Sequence, residues 1–242
     1  MARSIGTYST DCNVIGSIPD YGVLLDYIIE RARATGDGGF TFRTQTTLSR
    51  FTKSVDTGIL QFASERHKKL FMDAIVDNHN TSAEKMIILF WQMVYANKLF
   101  RKITDNIFMP AIYSGRITLD TKEVLSYLRC LQQQEPNSLP WSESTLDRTA
   151  SKYLSTLKKL GLAEGSLVKT ILHPVISDNL FVYFVRWALS VDSNRTLNNP
   201  YFYYSFYDNT GLINRLKKID LIPYWNISQI GNDVTIELKH HE

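Results

Sequence analysis

The 242-residue sequence predicts a mainly α-helical fold, in which a multi-helix body carries a winged helix-turn-helix-like module and small β-ribbons. Three observations lead to this prediction. Apolar residues recur every three or four positions in several segments, which is the spacing of one face of an α-helix. One of these segments ends at Gly161 and is followed at once by a short strand-like stretch. A stretch of alternating apolar and polar residues, 234–238, lies close to the C-terminus.

Two helices are predicted before residue 63. The segment after Pro19 has apolar residues at helical spacing, and the glycines between positions 36 and 39 end it. The hydroxyl groups of Thr44, Thr46 and Thr47 can cap a second helix. Its apolar positions begin at Leu48 and continue to Phe62.

The segment from Ala83 to Arg101 is hydrophobic on nearly all sides, so we expect it to lie at the centre of the fold. Further helices are predicted from Glu65 to about Asp77, near 105–113 and from about Thr121 to Gln133. The longest apolar run, 86–96, is much shorter than the roughly 20 residues that cross a bilayer. We therefore expect no membrane span.

The passage from Trp141 to Pro174 is the most informative part of the sequence. Ser144 and Asp147 have the spacing of a capping box, and Gly161 is placed to end the helix that follows. This helix has one continuous apolar face, made of Leu146, Ala150, Tyr153, Leu154, Leu157 and Leu160. Residues 162–165 are interpreted as a turn and 166–172 as a short strand. A helix followed by a small ribbon is the usual order of a recognition helix and its wing.

The last third of the sequence is rich in aromatic residues. An aromatic helix is predicted over 179–189 and a basic helix over 210–218, and 227–230 with 234–238 form a candidate β-hairpin. The aromatic residues between 201 and 207 are expected to be buried rather than to stack on bases, because few basic residues lie among them.

These elements divide the chain into three predicted regions. They are an N-terminal helical domain (1–115), the winged helix-turn-helix-like module (116–176) and an aromatic-rich helical C-terminal region that contains the candidate hairpin (177–242).

The formal net charge is only +3, but the basic residues are unevenly distributed. Residues 1–42 contain three basic and five acidic residues, whereas residues 43–69 contain six basic and two acidic ones. Basic residues clustered in this way can neutralise the phosphates of a nucleic acid and release their counterions. The candidate contacts in this segment are Arg43, Arg50 and Lys53.

A second set of candidates lies on the predicted recognition helix. Arg148, Lys152, Ser155 and Lys159 are spaced by four, three and four residues and share one stripe, which we expect to be exposed. Together with Thr145 they could meet the phosphates and base edges of a major groove. The alternative for both sets is the solvated face of an amphipathic helix, which carries charge without any ligand.

Local signatures of catalysis are lacking. The five histidines have no metal-ligand spacing, the two cysteines belong to no cluster, and no phosphate-binding loop or nucleophile elbow occurs. We therefore expect no enzyme activity, no metal or other cofactor and no small-molecule substrate. The N-terminal residues lack the apolar core of a secretory signal, so a cytoplasmic location is expected.

Three segments occur in an order that points to a known family. They are Arg43-Thr44-x-Thr46-Thr47-x-x-Arg50, the hydrophobic central helix with Phe100 near its end, and Trp141-Ser142-Glu143-x-Thr145 followed by the basic helix, Leu160-Gly161-Leu162 and Pro174. Over about 40–180 the chain resembles the BrxA family of BREX phage-defence systems. It departs from that family in its longer C-terminal part, after about residue 190, and in its glycine-rich segment 36–39.

The resemblance implies an all-helical body with winged-helix features, non-enzymatic DNA binding and a supporting role beside the methyltransferase and ATPase components. The residues to which it assigns DNA binding are Arg43, Arg50, Thr145, Arg148 and Lys152. We therefore expect a non-catalytic accessory protein that binds double-stranded DNA, with other BREX components as further candidate partners. The alternative is a protein-interaction scaffold that never touches DNA and uses the aromatic C-terminal third as its interface. RNA binding through the same basic faces is a third hypothesis.

Overall fold

The computed structural model describes residues 8–33, 45–231 and 233–239. In chain order the helices are α1 (Asp11–Ile15), α2 (Tyr21–Arg33), α3 (Gln45–Gly58), α4 (Glu65–Val76), α5 (Ser82–Ala96), α6 (Lys98–Ile103), α7 (Met109–Tyr113), α8 (Thr121–Gln134), α9 (Glu143–Lys159), α10 (Asp178–Val191) and α11 (Asn209–Leu216). The strands are β1 (Thr118–Asp120), β2 (Ala163–Glu164), β3 (Val168–Ile171), β4 (Trp225–Ile230) and β5 (Asp233–Leu238). The predictions of a mainly helical chain and of small β-ribbons are confirmed.

The chain forms two compact units. The first is drawn from Met1–Gln61 and Thr81–His173, and the second from Phe62–Asn80 and Pro174–Glu242. Both units draw on more than one of the three regions predicted from the sequence, 1–115, 116–176 and 177–242, and that division stays a prediction.

Helix α5 has the longest run of buried residues in the described part of the first unit. Thr81 and Glu84 form a capping box at its start, with the Thr81 backbone N–H donating to the Glu84 carboxylate at 2.9 Å. All eight residues from Ile87 to Val94 are buried, as the sequence predicts for a central helix. The Gln92 side chain is among them, and its Nε2 donates to the carbonyls of Ile59 and Gln61 at 2.6 and 2.8 Å. Its hydrogen bonds thus fix the chain just after α3.

Two predicted helices are shorter than expected. The helix predicted to reach Phe62 ends at Gly58, after which the Ile59 carbonyl turns towards Gln92. The helix predicted over 83–101 is interrupted at Asn97, which has extended backbone angles (φ −111°, ψ 103°). The Asn97 side chain accepts from the Phe100 N–H at 3.0 Å and so caps a new helix, α6.

Helices α6 and α7 are joined by a π-helical turn, Thr104–Phe108. At its end the Met109 N–H donates to the Thr104 carbonyl five residues earlier, immediately before Pro110, which has no N–H to donate. Inside the unit the buried Thr104 hydroxyl lies 3.1 Å from the Tyr153 hydroxyl of α9. The π-helical turn therefore faces α9.

The capping box predicted at Ser144 is wrong. Helix α9 starts at Glu143 after Ser142, which has the extended angles of an N-cap residue (φ −69°, ψ 158°), and Ser144 is already helical. The end of the helix is as predicted, because Gly161 adopts a positive φ of 71°. The Gly161 N–H donates to the Lys158 carbonyl and the Leu162 N–H to the Leu157 carbonyl, which is a Schellman motif.

A three-stranded antiparallel sheet with the strand order β1-β3-β2 completes the first unit. Strands β2 and β3 form the ribbon predicted after α9, with Ala163 opposite Ile171. Residues 163 and 164, which the sequence analysis placed in a turn, are strand, because the turn begins only at Gly165 (φ 93°). Strand β1 was not predicted, since its three residues are too few to show a period.

The second unit is built around α10, which packs against α4. Its core is aromatic: Trp187 lies between rings of Phe184 and Tyr201, at centroid distances of 6.0 and 5.3 Å. Of the aromatic residues between 201 and 207, Tyr201, Phe202 and Tyr204 are buried as predicted, whereas Phe206 and Tyr207 are half-buried and Tyr203 is 39% exposed. The predicted hairpin is confirmed as β4 and β5, with Ile227 opposite Ile236.

Helix α1 has only five residues and was not predicted, yet it packs against both α3 and α9. Contact with α9 is close at Gly16, where a Cβ atom would lie 2.5 Å from the Lys152 carbonyl oxygen and 2.8 Å from the Lys152 Cβ. On the side of α1 that faces α3, the Asp11 carboxylate accepts hydrogen bonds from the hydroxyls of Ser54 and Thr57 at 3.3 and 2.7 Å. Glycine at position 16 thus sets how near α1 lies to α9.

Gly16→Ala should lower the Tm of the chain, because the added methyl group meets backbone atoms that cannot move aside. Overpacking of this kind costs about 1–3 kcal/mol. Gly22→Ala is the matched control: it also has an ordinary backbone conformation, and the atoms nearest to its added Cβ would be those of the flexible Asp20 side chain, at 3.3–3.5 Å. Thermal unfolding followed by circular dichroism should give the control an unchanged or slightly higher Tm. Equal Tm values for the two variants would show that α1 does not lie this close to α9.

Candidate functional site

The exposed side of α9 is the candidate functional surface. Its opposite side is the apolar face predicted from the sequence, whose six residues are all at most 1% exposed. Beyond Glu143, the exposed residues of α9 are separated by three, four or seven positions, apart from the adjacent Asp147 and Arg148, and so they form one stripe along the helix. We call it the α9 stripe; it consists of Ser144, Asp147, Arg148, Ser151 and Lys158.

The acidic residues at the start of α9 are engaged by Arg129 of α8. Its Nε donates to the Glu143 Oε1 at 2.9 Å, and this hydrogen bond lowers the pKa of Glu143. Asp147 is close enough to contribute to the raised pKa of Arg129. Arg148, by contrast, is exposed and forms no ion pair within the described ranges 8–33, 45–231 and 233–239. Its charge is therefore available to a ligand.

Lys159 does not lie on an exposed stripe, contrary to the prediction. Its ammonium group donates to the Gly16 carbonyl at 2.7 Å and lies 5.6 Å from the centre of the Tyr21 ring. Burial, and then repulsion from Lys152, lower the pKa of Lys159. The physical reason is that α1 and the start of α2 cover this side of α9, where Lys152 is also half-buried.

Two hydroxyl groups of the predicted set are used inside the helix. The Ser155 hydroxyl donates to the Ser151 carbonyl at 2.8 Å. The Thr145 hydroxyl lies 3.0 Å from that of Ser142, the residue before α9. Both residues are half-buried, so a DNA group would compete with these contacts. Their assignment to DNA stays a prediction.

The candidate residues of the first basic segment lie on α3. Arg50 and Lys53 are exposed, three residues apart, and neither forms an ion pair with a described residue. The neighbouring Asp56 is instead bound by Arg31 of α2, at 3.3 Å. Arg43 lies outside the described residues. Helix α1 packs against both α3 and α9, so the two basic sets belong to one unit, but they are on separate helices.

Two lysines that are not among the predicted contacts meet at the C-terminal end of the α9 stripe. Lys158, at the end of α9, donates from Nζ to the Gly165 carbonyl at 3.1 Å. Lys169 of β3 donates to the same carbonyl at 3.0 Å, and also to that of Ser166. We call these two residues the lysine pair. The sequence gives little signal for it, because its members are eleven positions apart and meet only through the turn that joins β2 to β3.

Elsewhere on the first unit, a groove of about 580 Å³ lies beside the π-helical turn. Its charges are of both signs and largely pair with one another: Lys102 lies 3.7 Å from Glu135, and Arg101 lies 3.7 Å from Asp105. The Tyr8 hydroxyl also donates to Glu135, at 2.9 Å. This groove therefore offers little net charge to a ligand.

Two classes of site are not found in the described part of the chain. No three histidine, cysteine, aspartate or glutamate side chains converge there as metal ligands would. None of the helices described there has both the length and the apolar character required to cross a membrane.

Comparison with protein families gives one match: the model of the BrxA family matches residues 39–186. Comparisons with curated proteins and with solved structures gave no match. The matched segment covers more than half of the chain and includes α9, β2, β3 and most of α10. The family resemblance seen in the sequence is thereby confirmed. The chain belongs to the BrxA family, and is accordingly a component of a BREX phage-defence system.

Proposed function

We propose that this chain is a non-catalytic accessory protein that binds double-stranded DNA through the α9 stripe and the β2–β3 ribbon. The observation that carries the proposal is the arrangement of elements around α9. The chain runs from α7 through β1, α8 and α9 to β2 and β3, and β1 closes the ribbon into one small sheet. This order, one helix, one strand, two helices and then two strands, is that of a winged helix-turn-helix module. In such a module the second of the two consecutive helices enters the major groove.

The packing of α9 supports this proposal. Helix α8 packs on α9, as the first helix of such a pair does, and Arg129 of α8 engages the acidic residues at the start of α9. The α9 stripe carries the small hydroxyl residues Ser144 and Ser151 and the acidic Asp147 around Arg148, and it ends at Lys158. The small side chains let this side of the helix come close to a duplex. Arg148 and Lys158 form no ion pair with a described carboxylate, so their charges remain available to phosphates.

The exposed cations of α3 support a second contact with the same duplex. Arg50 and Lys53 lie in the same unit as α9 and have no acidic partner among the residues described. Each phosphate that such residues neutralise adds affinity by releasing counterions, whatever the base sequence. We propose that these contacts hold the protein on DNA without reading sequence. Arg43 precedes this helix and is proposed as a member of the same set from the family resemblance.

Contact with other BREX components is a second candidate function, favoured by one feature of the second unit. Three isoleucines near its C-terminus are strongly exposed: Ile219 (76%), Ile222 (50%) and Ile230 (81%). Exposed apolar residues of this size are typical of protein interfaces when they lie together. Co-purification with another component, with no duplex binding even at low salt, would favour this function over DNA binding.

Binding to a labelled DNA duplex of about 25 base pairs should weaken steeply as NaCl increases. The logarithm of the association constant should fall linearly with the logarithm of salt concentration, by about 0.9 for each phosphate neutralised. Fluorescence anisotropy titrations at four or more NaCl concentrations measure this slope. An affinity independent of salt would contradict the proposed phosphate contacts, and stronger competition by an RNA duplex than by a DNA duplex would assign the surface to RNA.

Replacing Arg148 and Lys152 together by alanine should weaken duplex binding by about tenfold or more, since one arginine contact to a base or phosphate contributes about 1–3 kcal/mol. The matched control replaces Lys68 and Lys69 of α4 by alanine, which removes the same charge from exposed positions of the second unit. Circular dichroism must show both variants folded. If the α9 variant binds as tightly as the control does, α9 is not the recognition helix.

A further inference from the structure

The lysine pair, Lys158 and Lys169, is unusual because two ammonium groups share one neutral acceptor. Both donate to the Gly165 carbonyl, so their nitrogen atoms are no more than about 6 Å apart. Neither forms an ion pair with any residue in the part of the chain that the structure describes. The positive charge of the pair is therefore not balanced by the protein.

The pair is also held in place. Lys169 is only 8% exposed, and it lies opposite the buried Leu119 of β1 on the inner side of the sheet. The carbonyls it binds belong to a tight turn, in which a Cβ on Gly165 would lie 2.6 Å from the Val168 oxygen. Burial first, and repulsion from Lys158 second, lower the pKa of Lys169. Two ammonium groups held this close repel each other, and an anion bound between them would offset that repulsion.

The pair has hydrogen-bond donors to spare. An ammonium group has three N–H donors. Lys169 uses two of them on the carbonyls of Gly165 and Ser166, and Lys158 uses one. Three N–H groups thus remain for a ligand, and Lys158 is exposed, so the pair is open to solvent on that side. Lysine binds phosphate oxygens as a point charge, which suits a tetrahedral anion between the two nitrogens.

The position of the pair favours a phosphate that belongs to a duplex rather than a free ion. Lys158 is ten residues from Arg148 on the α9 stripe, which is about 15 Å along the helix axis. The major groove is about 12 Å wide, so these two residues can reach phosphates on opposite borders of one groove. Leu167, which is 86% exposed at the tip of the same turn, shows that the tip extends into solvent beside the pair.

We propose that Lys158 and Lys169 together bind one phosphodiester group of the DNA backbone at the junction of α9 with the β2–β3 turn. This inference rests on the proposed function, because it names a phosphate contact of the same DNA-binding surface. The pair fixes the position of the ribbon on the backbone and carries no base preference. Lys158 thus takes the place at the end of the stripe that the sequence analysis assigned to Lys159.

The test measures the salt dependence of duplex binding by the full chain with Lys158→Gln and Lys169→Gln combined. Loss of one phosphate contact should reduce the slope of log K against log salt by about 0.9, and should weaken binding by about tenfold near 50 mM NaCl. The matched control is Lys68→Gln with Lys69→Gln, which removes the same charge and should keep the wild-type slope. Lys158→Arg retains the charge and should also keep it.

Lys169 is buried, so the double variant must be shown to fold by its Tm. If it does not fold, Lys158→Gln alone should still reduce both the slope and the affinity, because that side chain is exposed. A wild-type slope in a folded double variant would overturn the inference. The proposed function would survive that result, provided that replacing Arg148 and Lys152 still weakens binding. A Tm increase with inorganic phosphate that requires the pair, without any change in the duplex slope, would assign the pair to a free anion and would also overturn the inference.

Discussion

Burial of one side of α9 is the constraint on which the first unit depends. Six apolar residues of this helix lie in the core, and the Tyr153 hydroxyl among them meets Thr104 of the π-helical turn. Since a 17-residue helix held along its whole length cannot rotate, burial decides which residues remain outside. The Schellman motif at Gly161 then sets the direction in which the chain leaves the helix and begins the ribbon.

Helix α1 limits the exposed side of α9 further. Its contact at Gly16 and the hydrogen bond from Lys159 cover one flank, while α8 covers another and engages Glu143 through Arg129. The residues of α9 that remain exposed form the narrow α9 stripe, which ends at the lysine pair. Two neighbouring lysines of one helix therefore face different parts of the unit: Lys159 donates to the Gly16 carbonyl beside α1, and Lys158 donates to the Gly165 carbonyl of the ribbon.

The sequence predicts those features that depend on local periodicity or on one residue type. The apolar face of α9, its end at Gly161 and the C-terminal hairpin are of this kind. It could not predict α1, because a five-residue helix shows no period and is held by contacts with α3 and α9. The same limit explains the error at Lys159: spacing places a residue on a side of its helix but does not show which other helix covers that side. The lysine pair depends on the geometry of a turn and was missed for that reason.

Photocrosslinking tests most directly whether the uncovered side of α9 and the ribbon meet DNA. A photoreactive amino acid would replace Ser151 on the α9 stripe or Leu167 at the ribbon tip, with Arg66 on α4 as a reference position that is also exposed. A bound duplex should crosslink at the first two positions and not at the third. A duplex that binds but crosslinks only at position 66 would contradict it, since α9 would then not be the helix that faces DNA.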